Sequence, residues 1–341
     1  MSIPALLDEL LRAHGAPGHE DAVQRIVRRE AAAIGAELEQ DVLGSTVATV
    51  RGTAGTGRTV ALFAHADQVG MAVRDAGEDG LLTVARLANW RPADAFGQRV
   101  RIDTRGGEVG GVVVAPRDVE ASWEALRVDV GAAGREEALE LVRPGDPIVV
   151  DGPPVLLPNG RVLSAALDDR VGIFVGLQVI GRVAADRPGW DVALVVSGQE
   201  ETGTHGGARV AAERIAPAVA IVVEVTYAGD APGVAPWGDV RLGGGPTVFR
   251  GPVVSPIVGD GLLQVAGEAG IDVAIESGHA TASDGDDIFT TGAGVPCGIV
   301  CIPLRYMHTA GEVAQLSDVE AATRLIEAYV RSLAADASFL R

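Results

Sequence analysis

A chain of 341 residues is long for a single hydrophobic core, so one large domain carrying a second unit is expected. With 46 acidic against 28 basic residues the net charge is −18, a field that repels phosphate backbones and argues against nucleic acid as a partner. No Lys is present, which leaves Arg as the only basic residue and excludes lysine Schiff-base or lysine-nucleophile chemistry.

In chain order, residues 3–14 and 19–34 place apolar and charged positions at helical spacing. The N-terminus lacks a basic segment ahead of a long apolar core, so a signal peptide is not expected. Thr46–Arg51 and Thr59–Ala64 read as strands, with Gly52–Gly57 between them as a hairpin turn. From Gly70 to about Pro158 the texture changes. Short β-like pieces at Leu81–Arg86, Arg99–Asp103, Glu108–Val114 and Pro147–Val150 lie among Gly, Pro and Asp turns, with one helix expected at 134–142. This segment reads as an inserted all-β unit of small-barrel type. The expected division is therefore 1–68 and 159–341 for the larger domain and 69–158 for the insertion.

Regular alternation then resumes. Helices are expected at 169–184, 206–215, 256–269, 284–291 and 318–337, and strands at 191–197, 219–225, 271–276 and 296–302. Strands alternating with helices imply an α/β fold whose mostly parallel central sheet is covered on both faces, with ligands at the carboxyl ends of the strands. No stretch approaches 18 uninterrupted apolar residues, so no membrane-spanning helix is expected. Cys297 and Cys301 would lie on one side of an extended strand, about 13 Å apart and too far for a disulfide. Together these features predict a soluble, cytoplasmic protein.

Chemistry concentrates where apolar runs end. Gln199-Glu200-Glu201 follows the run Asp191–Gly198, and two adjacent carboxylates at the mouth of a buried strand raise each other's pKa. A cation that takes one of them and leaves its neighbour free to carry protons resolves that cost. Four further segments deliver ligand-type residues: Phe63-Ala-His65-Ala-Asp67, Ala166-Leu-Asp168-Asp169, Ile221-Val-Val-Glu224 and Leu304-Arg-Tyr-Met-His308. A His-X-Asp pair suits an imidazole ligand oriented by its carboxylate neighbour, although a loop histidine near a helix cap reads the same way. Of Asp168 and Asp169, one is accounted for as a helix N-cap, and the other is free to bridge cations. Glu224 ends a run apolar enough to be fully buried, where it needs either a cation or an Arg.

His14 and His19 are expected at the surface, and His205 and His279 lie in loops that nothing in their spacing ties to the site. The stretch Gly52–Thr59 matches phosphate-loop spacing with Arg in place of Lys. It runs into a strand rather than opening a helix, and is set aside.

Taken in order, His65-Ala-Asp67-Gln-Val-Gly70, Ala166-Leu-Asp168-Asp169-Arg170, Gln199-Glu200-Glu201-Thr-Gly203, Glu224 ahead of Asp230-Ala-Pro-Gly233, and Arg305-Tyr-Met-His308-Thr resemble the glutamyl and tetrahedral aminopeptidases. These are the cytosolic dinuclear peptidases of metallopeptidase family forty-two. The resemblance spans essentially the whole chain and implies two divalent ions, zinc first, with cobalt or manganese as alternatives. It implies that Asp168 bridges them, that His65 and Glu224 complete one site, and that Glu201 and His308 complete the other. Glu200 would be general base and acid, and Asp67 would orient His65. Peptides would be substrates, and the insertion would pack protomers into dimers or hollow dodecamers. Three positions depart from the family pattern: Gln68 where Glu is usual, Glu224 where Asp is usual, and Thr202-Gly-Thr-His205 in place of the Val-Gly-Leu-Arg type.

Rival readings are an aminoacylase or carboxypeptidase on a related dinuclear core, which would need an Arg for a substrate carboxylate, an endoglucanase, and a non-catalytic homologue.

Overall fold

The computed structural model describes residues 2–235 and 238–341. Two helices, α1 (Ala5–Arg12) and α2 (Asp21–Ala33), lead into β1 (Glu37–Gln40), β2 (Thr46–Val50) and β3 (Thr59–His65). There follow β4 (Gly70–Ala76), β5 (Leu82–Arg86), α3 (Pro92–Ala95), β6 (Arg99–Thr104), β7 (Gly107–Val114), β8 (Arg127–Asp129), α4 (Arg135–Leu141) and β9 (Pro147–Val150). These six strands close into a barrel in the order β4-β5-β8-β7-β6-β9, filled by Met71, Leu82, Ile102, Leu126 and Ile148. Closure leaves no free strand edge, which suits short strands broken by turns.

The chain re-enters the larger sheet at β10 (Val155–Leu157) and β11 (Arg161–Ser164). After them come α5 (Leu167–Ala185), β12 (Asp191–Ser197), α6 (Gly206–Ile215), β13 (Val219–Tyr227), β14 (Thr247–Arg250), α7 (Pro256–Ala269), β15 (Ala274–Ser277), α8 (Gly285–Ile288), β16 (Cys297–Arg305), β17 (Glu312–Gln315) and α9 (Leu316–Ser332). The main path of the sheet is β1-β2-β12-β3-β13-β16-β17-β11-β10, and β14 and β15 extend from β16. Its centre, β12-β3-β13-β16, is parallel, so four carboxyl ends point the same way. The middles of these strands are apolar because both faces are covered: α5, α7 and α9 lie over one cluster and α6 over the other. Helix α5 is buried nearly all round. It comes so close to β12 that a Cβ at Gly176 would run into Leu194. Helix α7 stops at Gly270, whose φ of +60° is the left-handed termination that glycine favours.

Three expectations change. The stretch Gly52–Gly57 is not a hairpin turn, because β12 lies between β2 and β3. The connection instead crosses the start of β12, held by Gly52 N–H donating to Asp191 Oδ1 at 2.8 Å. The helix expected at 284–291 is the single turn α8, followed by turns. Both cysteines are buried and unpaired in the same apolar cluster, as the spacing predicts. Among the described residues no helix is long and apolar enough to cross a membrane.

The third change is His14, expected at the surface but buried, with neither ring nitrogen hydrogen-bonded among the described residues. Burial, aided by the charges of Arg101 and Arg170, pulls its pKa down to about 3. The folded form therefore stays neutral while the unfolded form takes up a proton below its ordinary value of about 6.5. Stability should fall as pH drops through that value, by about 2 kcal/mol between pH 7 and pH 5. Denaturant melts of the wild type and His14→Leu at both pH values check this. The variant should lose less stability over that interval than the wild type, by about that amount.

Candidate metal centre

Side chains from the carboxyl ends of β3 and β12, from β13, from the loop after β16 and from the first turn of α5 meet at one point. His65 closes β3, and its Nε2 lies 3.0 Å from Asp168 Oδ1 and 3.6 Å from Glu224 Oε1. On the other side, His308 Nε2 lies 3.2 Å from Asp168 Oδ2 and 3.4 Å from Glu201 Oε2. The two oxygens of Asp168 thus face two different imidazoles. Ligand-type atoms form two groups, His65, Asp169 and Glu224 in one and Asp168, Glu201 and His308 in the other, each within 4.8 Å. Glu224 sits within β13 rather than at its end, since the strand continues to Tyr227.

The donor set fits divalent cations. It combines imidazole and carboxylate without thiolate, a mixture that suits zinc and its neighbours. Glu201 Oε1 is buried without a hydrogen-bond partner, a position costly for a carboxylate unless a cation meets it. Burial, and then the Asp168 charge, hold the Glu201 carboxyl well above the usual range. Burial likewise lifts Glu224 to about 7 against the pull of His65. Burial opposes charging of His308, yet the hydrogen bond to Asp168 and the Glu201 charge raise it to about 10. Protons here occupy places that cations would take, and metal binding would release them.

The supporting shell is dense. Asp67, fully buried, accepts from Glu200 N–H through Oδ1 at 3.0 Å and from Glu201 N–H through Oδ2 at 2.9 Å. His65 Nδ1 hydrogen-bonds to the main-chain carbonyl of Asp67 at 3.0 Å, with the Asp67 carboxylate close by at 3.4 Å, so this one residue sets the imidazole and, through its carboxylate, the paired glutamates. Asp169 accepts from Gly172 N–H at 3.0 Å, the N-cap contact expected of one member of the pair, and its other oxygen accepts from His65 N–H. The peptide between Asp168 and Asp169 is cis.

Glu312 was not among the residues expected at the site. Buried on the short strand β17, it accepts from Asp168 N–H at 3.2 Å and from His308 N–H at 2.7 Å. Its single carboxylate in an ordinary Gly-Glu-Val context carries no signal. Gln68 lies 3.4 Å from the guanidinium of the fully buried Arg170, whose pKa burial lowers to about 10. The neutral amide therefore stands against a cation at that departure from the family pattern.

His205, left unassigned by its spacing, belongs to the site. Its Nε2 lies 3.4 Å from Glu200 Oε1 and its Nδ1 lies 2.7 Å from Asp287 Oδ2. The residue has a left-handed φ of +43°, where the turn carrying Glu200 and Glu201 meets α6. Asp287 holds the ring and the ring holds Glu200. His205→Ala should lower kcat by roughly 10- to 100-fold at unchanged metal content, the usual cost of losing such an orienting partner. His205→Arg should recover part of that loss, and steady-state kinetics on metal-saturated protein reads both.

A cavity of about 490 Å³ opens over the two groups and extends along β13 past Thr226 and Tyr227 toward Glu276 and Met307. No Arg lines it among the described residues.

The sequence profile of the M42 glutamyl aminopeptidases matches residues 44–325. A lysyl aminopeptidase of Pyrococcus furiosus is 30% identical over 344 residues, covering 96% of each chain. Among solved structures, an aminopeptidase of the archaeon Desulfurococcus kamchatkensis superposes with a TM-score of 0.89 at 32% identity, over 96% of this chain and 94% of its own. The TET aminopeptidase of Thaumarchaeota archaeon SCGC AB-539-E09 gives a TM-score of 0.91 at 29% identity, over 96% of each chain. With its profile match spanning most of the sequence, the chain belongs to the M42 family of aminopeptidases.

Proposed function

We propose that the protein removes N-terminal residues from peptides at a dinuclear metal centre. The observation that carries this reading is the placement of Asp168, each of whose oxygens faces a different imidazole, beside a Glu200 that belongs to neither ligand group. Asp168 is the proposed bridge, with His65 and Glu224 on one side and Glu201 and His308 on the other. Two divalent cations, zinc first and cobalt or manganese as alternatives, would supply Lewis acidity toward the scissile carbonyl and lower the pKa of attacking water.

The chain's own residues do the rest. Glu200 takes the proton of the attacking water and returns it to the leaving amine. His205 and the two backbone contacts to Asp67 keep the Glu200 carboxylate aimed at the cavity. Asp67 fixes the orientation of His65 through its main-chain carbonyl, with its carboxylate alongside. The acidic lining receives a free, positively charged α-amine, which favours exopeptidase action. A carboxypeptidase or aminoacylase would bind a substrate carboxylate, and the described lining offers no Arg for it.

A panel of aminoacyl anilides with zinc, cobalt and manganese tests this reading. Metal-dependent release of aniline supports it, and absence of turnover with every metal removes it. We also propose that the unit at 69–158 mediates self-assembly: it is a closed barrel separate from the larger sheet, on which Phe96, Val119 and Leu141 stand exposed. Light scattering should report a mass of several chains, and a monomer would overturn the proposal.

A further inference from the structure

Five carboxylates line the cavity: Asp168, Glu200, Glu201, Glu224 and Glu276. The first four are taken up by cation binding and proton transfer. Glu276, on β15, is not. It is only 6% exposed and has no ion-pair partner among the described residues. Two hydroxyls hold its carboxylate in place: Thr226 Oγ1 donates to Oε1 at 2.7 Å, and Thr247 Oγ1 donates to Oε2 at 3.0 Å. Each oxygen keeps a lone pair for a further donor.

Its position relative to the reacting centre follows from the strand. Glu224 and Thr226 are two residues apart on β13 and so project from the same face, roughly 6.6 Å from one another along the chain. The carboxylate that Thr226 holds therefore lies one side-chain step beyond the proposed metal ligands. A peptide whose scissile carbonyl lies at Asp168 and Glu200 would direct its first side chain along this wall. Tyr227 and Met307 also line the cavity, and they offer apolar surface for a long stem.

We propose that Glu276 is the specificity-determining residue for the first side chain of the substrate and selects basic N-terminal residues. The inference rests on the peptidase reading above. An acidic side chain entering here would meet a like charge with no guanidinium in the lining to offset it. An apolar one would cover Glu276 and leave it unpaired, a costly arrangement for a carboxylate. Lysine or arginine brings donors on a flexible stem and forms a charge-assisted hydrogen bond with it. Burial already pushes the Glu276 carboxyl above its ordinary range while the two threonine hydroxyls pull it back, and a cationic partner would favour its charged form.

The test compares kcat/KM for lysyl, arginyl, leucyl and glutamyl anilides on the metal-saturated full chain, wild type and Glu276→Gln. The wild type should prefer lysyl and arginyl over leucyl anilide by at least about tenfold, and the variant should lose about 100-fold on the basic substrates while leucyl turnover holds or rises, because the charge that a leucyl side chain would bury is gone. The ratio of lysyl to leucyl rates within one preparation cancels any difference in folded fraction. A wild type that prefers leucyl or glutamyl anilide, or a variant whose lysyl-to-leucyl ratio is unchanged, overturns the assignment and leaves the peptidase reading standing. Failure to cleave any anilide removes the peptidase reading and this inference together.

Discussion

Replacing Glu200 with Gln is expected to lower kcat by about 10²- to 10⁴-fold, the range for loss of a general acid–base group. The substitution keeps side-chain size and leaves untouched the backbone N–H that Asp67 accepts. Because Glu200 belongs to neither ligand group, the variant should hold the same metal content as the wild type. Single-turnover rates beside metal analysis by atomic emission separate the two effects. Turnover near the wild-type level would remove Glu200 from the proton path. Loss of metal together with turnover would instead make it a ligand.

Asp168→Asn should be still more damaging, and in a different way. An amide offers one oxygen acceptor and one nitrogen donor in place of two anionic oxygens, so it cannot serve both His65 and His308 as Asp168 does. Metal content should fall from two ions per chain to one or none. Activity should fall by more than about 100-fold, beyond the range for a residue that only supports a ligand. The substitution also removes a charge whose pKa is held low by the two imidazoles against the opposing effect of burial. His308, raised to about 10 chiefly by its hydrogen bond to Asp168 against the pull of burial, should then titrate at lower pH in the metal-free protein. NMR titration of the imidazole resonances reads that shift. A variant that still holds two ions would contradict the bridging assignment.

The fold was legible wherever the sequence pattern was strong. The strand expected at 191–197 and the helices expected at 206–215 and 256–269 coincide with β12, α6 and α7, because long apolar runs and the glycine at 270 mark them without ambiguity. Short elements escaped. β1 is exposed throughout, β10 is mostly so, and β17 spans four residues, so none presents the alternation that betrays a half-buried strand. The loop at Gly52–Gly57 misled because nearness in sequence favours a hairpin, whereas β12, arriving some 140 residues later, separates the two strands.

At the site, residues that terminate apolar runs were legible, since a carboxylate or imidazole there contradicts its surroundings. Glu312 and His205 were not, since neither ends such a run. Glu312 reaches Asp168 and His308 only because β17 pairs with both β16 and β11, a relation that no local pattern encodes. His205 stands near Glu200 because a tight turn folds the chain back before α6. His14 seemed superficial because it lies beside the first helices, yet it is buried where the charges of Arg101 and Arg170, from distant segments, reach it.

The proposed dinuclear centre is tested most directly by anomalous diffraction at the zinc edge from zinc-loaded crystals. Two peaks are expected about 3.5–4 Å apart, one on each side of the Asp168 carboxylate, with His65 and Glu224 at one and Glu201 and His308 at the other. A single peak, or peaks that leave Asp168 without contact to either ion, would contradict it.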